Sequence, residues 1–94
     1  MAQILVRHNV EDYKRWKPVF DADAERRGSA GSKGCRLFHS ERDTNEVVVL
    51  CRWKDLETAH RFAESDETRR AMERAGVVGK PDVYFLDEIE DSAV

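Results

Sequence analysis

The sequence predicts an α+β fold. It reads as a ferredoxin-like β-α-β-β-α-β chain with a four-stranded antiparallel sheet and both helices on one face. Three observations predict it. The hydrophobic period switches between that of a strand and that of a helix in this order along the chain. Clusters of Gly, Asp, Asn and Pro fall between the periodic segments. The strands are also apolar on both faces. Val47, Val49, Cys51 and Trp53 point one way and Val48 and Leu50 the other, while Val83 and Phe85 oppose Tyr84 and Leu86. A face bathed in water would alternate with polar residues. No third helix remains to cover the second face, so a second copy of the sheet is expected there, packed face to face in a homodimer.

Each element has its own signal. Ala2–His8 is the first strand, with Ile4 and Val6 on one side and Leu5 on the other. Asn9 or Asp12 can cap the helix that follows. Between Val10 and Arg27, Tyr13, Trp16, Phe20 and Ala24 make one helical stripe. Pro18 interrupts it, either as a kink or as the first turn of a new helix. Gly28–Gly34 reads as a loop. Cys35–Ser40 and Glu46–Trp53 form a hairpin around Arg42-Asp43-Thr44-Asn45. Asp55 caps the second helix, whose buried face is read as Leu56, Ala59, His60 and Ala63. Ser65-Asp66 breaks that helix and caps a second piece, where Ala71, Met72 and Ala75 continue its face. Gly76 and Gly79-Lys80-Pro81 end it, and Asp82–Ile89 is the last strand.

The 94 residues make a single domain, 1–94, with a loose tail at 90–94. Charged residues are 37% of the chain, which leaves a thin core that a shared interface would extend. The net charge of −3 and the lack of a basic block argue against a general nucleic-acid binder. RNA-recognition modules of this topology stack bases on aromatics in the first and third strands, but the first strand has none and the third is aliphatic at its centre. No apolar run reaches the ~20 residues of a membrane span. The stretch Ile4-Leu5-Val6 is too short for a signal peptide, so a cytoplasmic protein is expected. Cys35 and Cys51 make no disulfide framework and no CxxC, and read as free, half-buried thiols. They share parity across the hairpin, which also admits a redox pair. With His8, His39 and His60 they show no metal-ligand spacing, so no metal is expected. The Lys between glycines in Gly28–Gly34 lacks the order of a phosphate-binding loop.

Several stretches resemble the antibiotic biosynthesis monooxygenase-like family of the dimeric α+β barrel superfamily. They are the strand Ile4–His8, the Asp12-Tyr13-x-x-Trp16-Lys17 opening of the first helix, the run Val47–Ala59, and the Ser65-Asp66-Glu67 break. The resemblance covers nearly the whole chain. It implies two four-stranded sheets meeting in a barrel, helices outside, and a small-molecule cleft between sheet and helices of each subunit. Activities in the family include cofactor-free oxidation of polycyclic aromatics and haem degradation. Haem-degrading members carry an Asn on the first strand and a Trp and a His on the second helix. Here Asn9 lies near the first place, while Phe62 and Met72 occupy the other two, so that constellation is incomplete. The aromatic-oxidising members imply a dry pocket and a base that forms a substrate anion, with no metal and no cofactor.

On this basis the expected function is a cofactor-independent monooxygenase-like activity on a small aromatic or polyketide-like molecule. The alternative is a non-catalytic dimeric module that binds a metabolite or serves an accessory, stress-related role. His60, at the centre of an apolar stripe, and Asn9 are the candidate proton-handling residues. His60 also admits a bland reading, bonded to a carbonyl at the helix–sheet seam. His8, Tyr13, Trp16, Phe20, Trp53 and Phe62 are the candidate pocket lining, and the aromatics among them serve equally as core.

Overall fold

A computed structural model describes all residues, 1–94. The chain runs β1 (Ala2–Val10), α1 (Tyr13–Ala22), α2 (Ala24–Ala30), β2 (Ser32–His39), β3 (Glu46–Trp53), α3 (Leu56–Ala63), α4 (Asp66–Arg74) and β4 (Val77–Asp87). The expected ferredoxin-like order is present, with each helical segment split in two. The four strands form one antiparallel sheet in the order β2-β3-β1-β4. Glu90–Val94 follows β4 as exposed coil. No helix is long and apolar enough to cross a membrane.

The register builds the core row by row. Ile4 pairs with Cys51 on one side and Phe85 on the other, and Val6 pairs with Val49 and Val83. These side chains face the helices, where Trp16, Ala59 and Ala75 close over them. Asp12 caps α1 by accepting from Lys14 N, Asp55 caps α3 through Thr58 N, and Ser65 caps α4 through Thr68 N. The hairpin loop is tied down as well. Asn45 O accepts from Val10 N at 2.8 Å and Asn45 Oδ1 from Tyr13 N at 3.0 Å, which fixes the entry to α1.

Five readings of the sequence are corrected. Pro18 sits inside α1, on its exposed side, and the helical segment breaks at Asp23 instead. The Gly28–Gly34 loop shrinks to one residue, because α2 runs to Ala30 and β2 starts at Ser32. Gly31, at φ +134°, makes the whole turn, and a Cβ there would meet the Trp53 ring at 3.1 Å. Strand β4 starts at Val77, because Gly79-Lys80-Pro81 is a bulge within it and not its boundary. Arg7 pairs with Asp82 and Asn9 with Val78, so three residues of β4 stand opposite His8 alone.

The fourth correction concerns the cysteines. Cys35 and Cys51 are direct cross-strand partners with Cα atoms 4.0 Å apart, and they form a disulfide that leaves no free thiol. The last concerns α3. Its buried side is Ala59 with the half-buried Phe62 and Ala63, while Leu56 and His60 turn outward.

Candidate functional site

Between the sheet and the helices lies a largely apolar cavity of about 120 Å³. Its floor comes from β1, β3 and β4, including Val6, Val49 and Val83. Its walls come from α1 (Trp16, Phe20) and α4 (Ala71, Met72), and Trp53 and Phe62 also line it. The sequence makes this space by setting small residues against large ones. Ala59, Ala63, Ala71 and Ala75 keep α3 and α4 thin on their inner sides, while α1 supplies rings.

The rings form a ladder. Tyr13 stacks on Trp16 at 5.8 Å and Trp16 on Phe20 at 5.0 Å between centroids. Arg27 continues it, with Cζ 3.7 Å from the centre of the Phe20 ring. His8 lies beside the Trp16 rung, 5.6 Å between centroids and tilted by 46°. A second cluster, Trp53 against Phe62 at 5.0 Å, closes the far wall.

Two polar groups in this apolar space lack a partner. His8 is 4% exposed, and neither Nδ1 nor Nε2 has a hydrogen-bond partner. Trp53 is 1% exposed, and its Nε1–H is likewise unmatched. An unpaired buried polar group costs roughly 1–3 kcal/mol. Burial, with the nearby Arg7 charge second, pulls the His8 pKa from 6.5 down to about 4. At neutral pH His8 is therefore an uncharged imidazole able to accept a proton.

The candidate residues divide accordingly. His8, Trp16, Phe20, Trp53 and Phe62 line the cavity, and Tyr13 stands behind Trp16. His60 does not line it. Its side chain is 47% exposed, its ring stacks on Phe85 at 3.6 Å, and Nδ1 lies 3.5 Å from Glu64 Oε2. Asn9 is exposed and follows His8 on the strand, so it faces the opposite side of the sheet. No cluster of three or more His, Cys, Asp or Glu has the arrangement of a metal site. Sequence reasoning passed over Asp23, Arg27 and Thr68, which supply polar groups to the cavity wall. Asp23 stands at the junction of α1 and α2, Arg27 follows in α2, and Thr68 comes from α4. Asp23 Oδ1 and Oδ2 accept from Arg26 at 2.8 and 2.7 Å, and Arg26 also donates to Thr68 Oγ1 at 3.1 Å.

No protein-family model matches the chain, and no curated protein matches it. Its fold is that of the antibiotic biosynthesis monooxygenase-like proteins. A proposed antibiotic biosynthesis monooxygenase from Bordetella bronchiseptica superposes with a TM-score of 0.78 at 13% identity, covering 95% of this chain and 97% of that one. Another from Caulobacter crescentus gives 0.74 at 17% identity, covering 95% and 90%. SnoaB, a cofactor-independent oxygenase from Streptomyces nogalater, gives 0.70 at 14% identity, covering 93% of each chain.

Proposed function

We propose that the protein is a cofactor-independent oxygenase for a small phenolic aromatic, with His8 as proton acceptor. The observation that carries this reading is the buried, unpartnered imidazole beside an aromatic ladder lining a cavity. A volume of about 120 Å³ encloses at most a single ring, so a second ring would extend through the cavity's open side and a large polycycle is disfavoured. Cavities near ~150 Å³ hold benzene, and typical ligand sites are ~300–1,000 Å³. The likeness in fold to SnoaB lends support.

The chemistry needs a base and a dry wall. His8 takes the phenolic proton, and the anion left behind is electron-rich at the ring carbon para to its oxygen. Dioxygen, the oxidant, adds at that carbon. Loss of water then gives the quinone, so that a naphthol and one O₂ become a naphthoquinone and one H₂O. A base with a pKa of about 4 is weak in isolation. An anion formed beside it favours the imidazolium and raises its basicity where the reaction needs it. The apolar walls keep bulk water from the anion.

Oxygen uptake by the purified protein with 1-naphthol, in chelator-treated buffer, tests the proposal. Uptake matched by 1,4-naphthoquinone supports it. Binding of 1-naphthol with no uptake favours the second reading, a non-catalytic binding module, for which the narrowness of the cavity speaks.

The protein is further proposed to work as a homodimer joined through the open sheet face. Leu5, Leu50 and Tyr84 form one row of that face, and Phe38 and Val48 stand in the next. Phe38 is 48% and Tyr84 55% exposed, more apolar surface than a sheet facing water usually carries.

A further inference from the structure

The cavity wall carries one cation with no carboxylate in ion-pair contact, although Asp23 and Asp21 lie near enough to favour its charge. Arg27 lines the cavity, half-buried, with its guanidinium carbon 3.7 Å from the centre of the Phe20 ring and Nη1 donating to Phe20 O at 2.7 Å. It makes no ion pair. The carboxylates nearest in sequence are already engaged, Asp23 by Arg26 at 2.7 Å and Asp21 by Lys17 at 2.6 Å. Desolvation lowers the pKa of Arg27 below the ordinary guanidinium value, but an arginine stays charged at any working pH. A half-buried cation on an apolar wall, with donors to spare, is a place for an anion.

We propose that Arg27 is the anchor for a carboxylate on the aromatic ligand. The ligand would lie along the Phe20–Trp16 ladder with its acid at Arg27 and its reacting end toward His8. This deepens the reading of the cavity as a ligand site and rests on it. It adds a substrate class, an aromatic acid rather than a neutral aromatic. The planar fork of Arg27 suits a carboxylate with two oxygens, and contact with Phe20 holds that fork in place.

The test is the affinity of 2-naphthoate against 2-naphthalenemethanol, two ligands of equal ring size that differ in charge. It is followed by fluorescence at neutral pH with the wild-type protein and with Arg27→Gln. A charge-assisted bond predicts naphthoate binding roughly tenfold or more tighter than the alcohol. In Arg27→Gln the carboxylate should drop to the level of the alcohol. Equal affinities in the wild type overturn the anchor and leave the cavity standing as a ligand site. If neither compound binds, the ligand-site reading falls and the anchor falls with it. Should Arg27→Gln fail to fold, the wild-type comparison decides by itself, with Arg27→Lys as the second variant. Lysine keeps the charge but lacks the fork, so it should retain only part of the preference.

Discussion

His8 and Trp16 are buried against one another, their ring centroids 5.6 Å apart, and the imidazole has no hydrogen-bond partner. This pair joins strand β1 to helix α1 and puts the acid–base group of the cavity beside its aromatic wall.

The burial of His8 makes stability depend on pH. His8 titrates near 6.5 when unfolded and near 4 when folded. Between those values the unfolded chain binds a proton that the folded one refuses, so stability falls as pH drops from about 6.5 and levels off below about 4. The full loss is about 3 kcal/mol. Urea melts across this range should show it, and His8→Phe should remove most of it. An unchanged slope in His8→Phe would mean that His8 is not the group responsible.

Filling the cavity should abolish binding and leave the fold intact. Ala71 lines the cavity from α4, where a larger side chain would project into the same space. Ala71→Phe is expected to change stability by no more than about 1–3 kcal/mol. Calorimetric titration with 2-naphthoate should then show no heat of binding. Full affinity in this variant would place the ligand elsewhere.

His60 stacks on Phe85 at the surface and is not part of the cavity. His60→Ala is expected to leave turnover of 1-naphthol essentially unchanged, because the residue does not line the cavity, and to cost roughly 0.5 kcal/mol of stability or less. A large loss of turnover with the fold intact would return His60 to the mechanism.

The disulfide ties β2 to β3. Thiol labelling of the denatured, unreduced protein should find no free cysteine, and two after reduction. A loop of this length contributes about 3 kcal/mol by the chain-entropy estimate. Reduction should lower the melting temperature by roughly 10–20 °C. Two reactive thiols without reductant would contradict the bond and favour a reducing compartment.

Leu50 and Tyr84 lie on the open face, each paired to Leu5. Leu50→Lys with Tyr84→Lys should convert a dimer into a folded monomer in sedimentation velocity, with an unchanged circular dichroism spectrum. A monomeric wild-type protein would remove the argument from the two-sided sheet.

Much of this architecture is legible in the sequence. Strand periodicity, the caps Asp55 and Ser65, Asp12 as one of two candidate caps for α1, and the opposed faces of β3 and β4 are local patterns, and local patterns survive into the fold. What escaped reading depends on neighbours distant in sequence. Pro18 looked like the break, but an exposed proline is tolerated when packing of Trp16 and Phe20 holds the helix on both sides of it. Gly79-Lys80-Pro81 looked like an end because a bulge carries the same residues as a turn. His60 and Phe62 lie within one helical turn, and periodicity alone did not settle which of them faces inward. The Cys35–Cys51 bond needed the register of β2 on β3. Arg27 and Asp23 line the cavity from the junction of α1 and α2 at Asp23, which no period announces.

The most direct test of the central claim is the turnover of 1-naphthol by the wild-type protein and by His8→Gln, measured side by side with the fold of each confirmed. Glutamine keeps a polar group at the site and cannot take up the proton. A general base is worth about 10²–10⁴-fold, so the variant should lose at least about a hundredfold in kcat. A variant that turns over 1-naphthol at the wild-type rate would contradict the assignment of His8 as the proton acceptor.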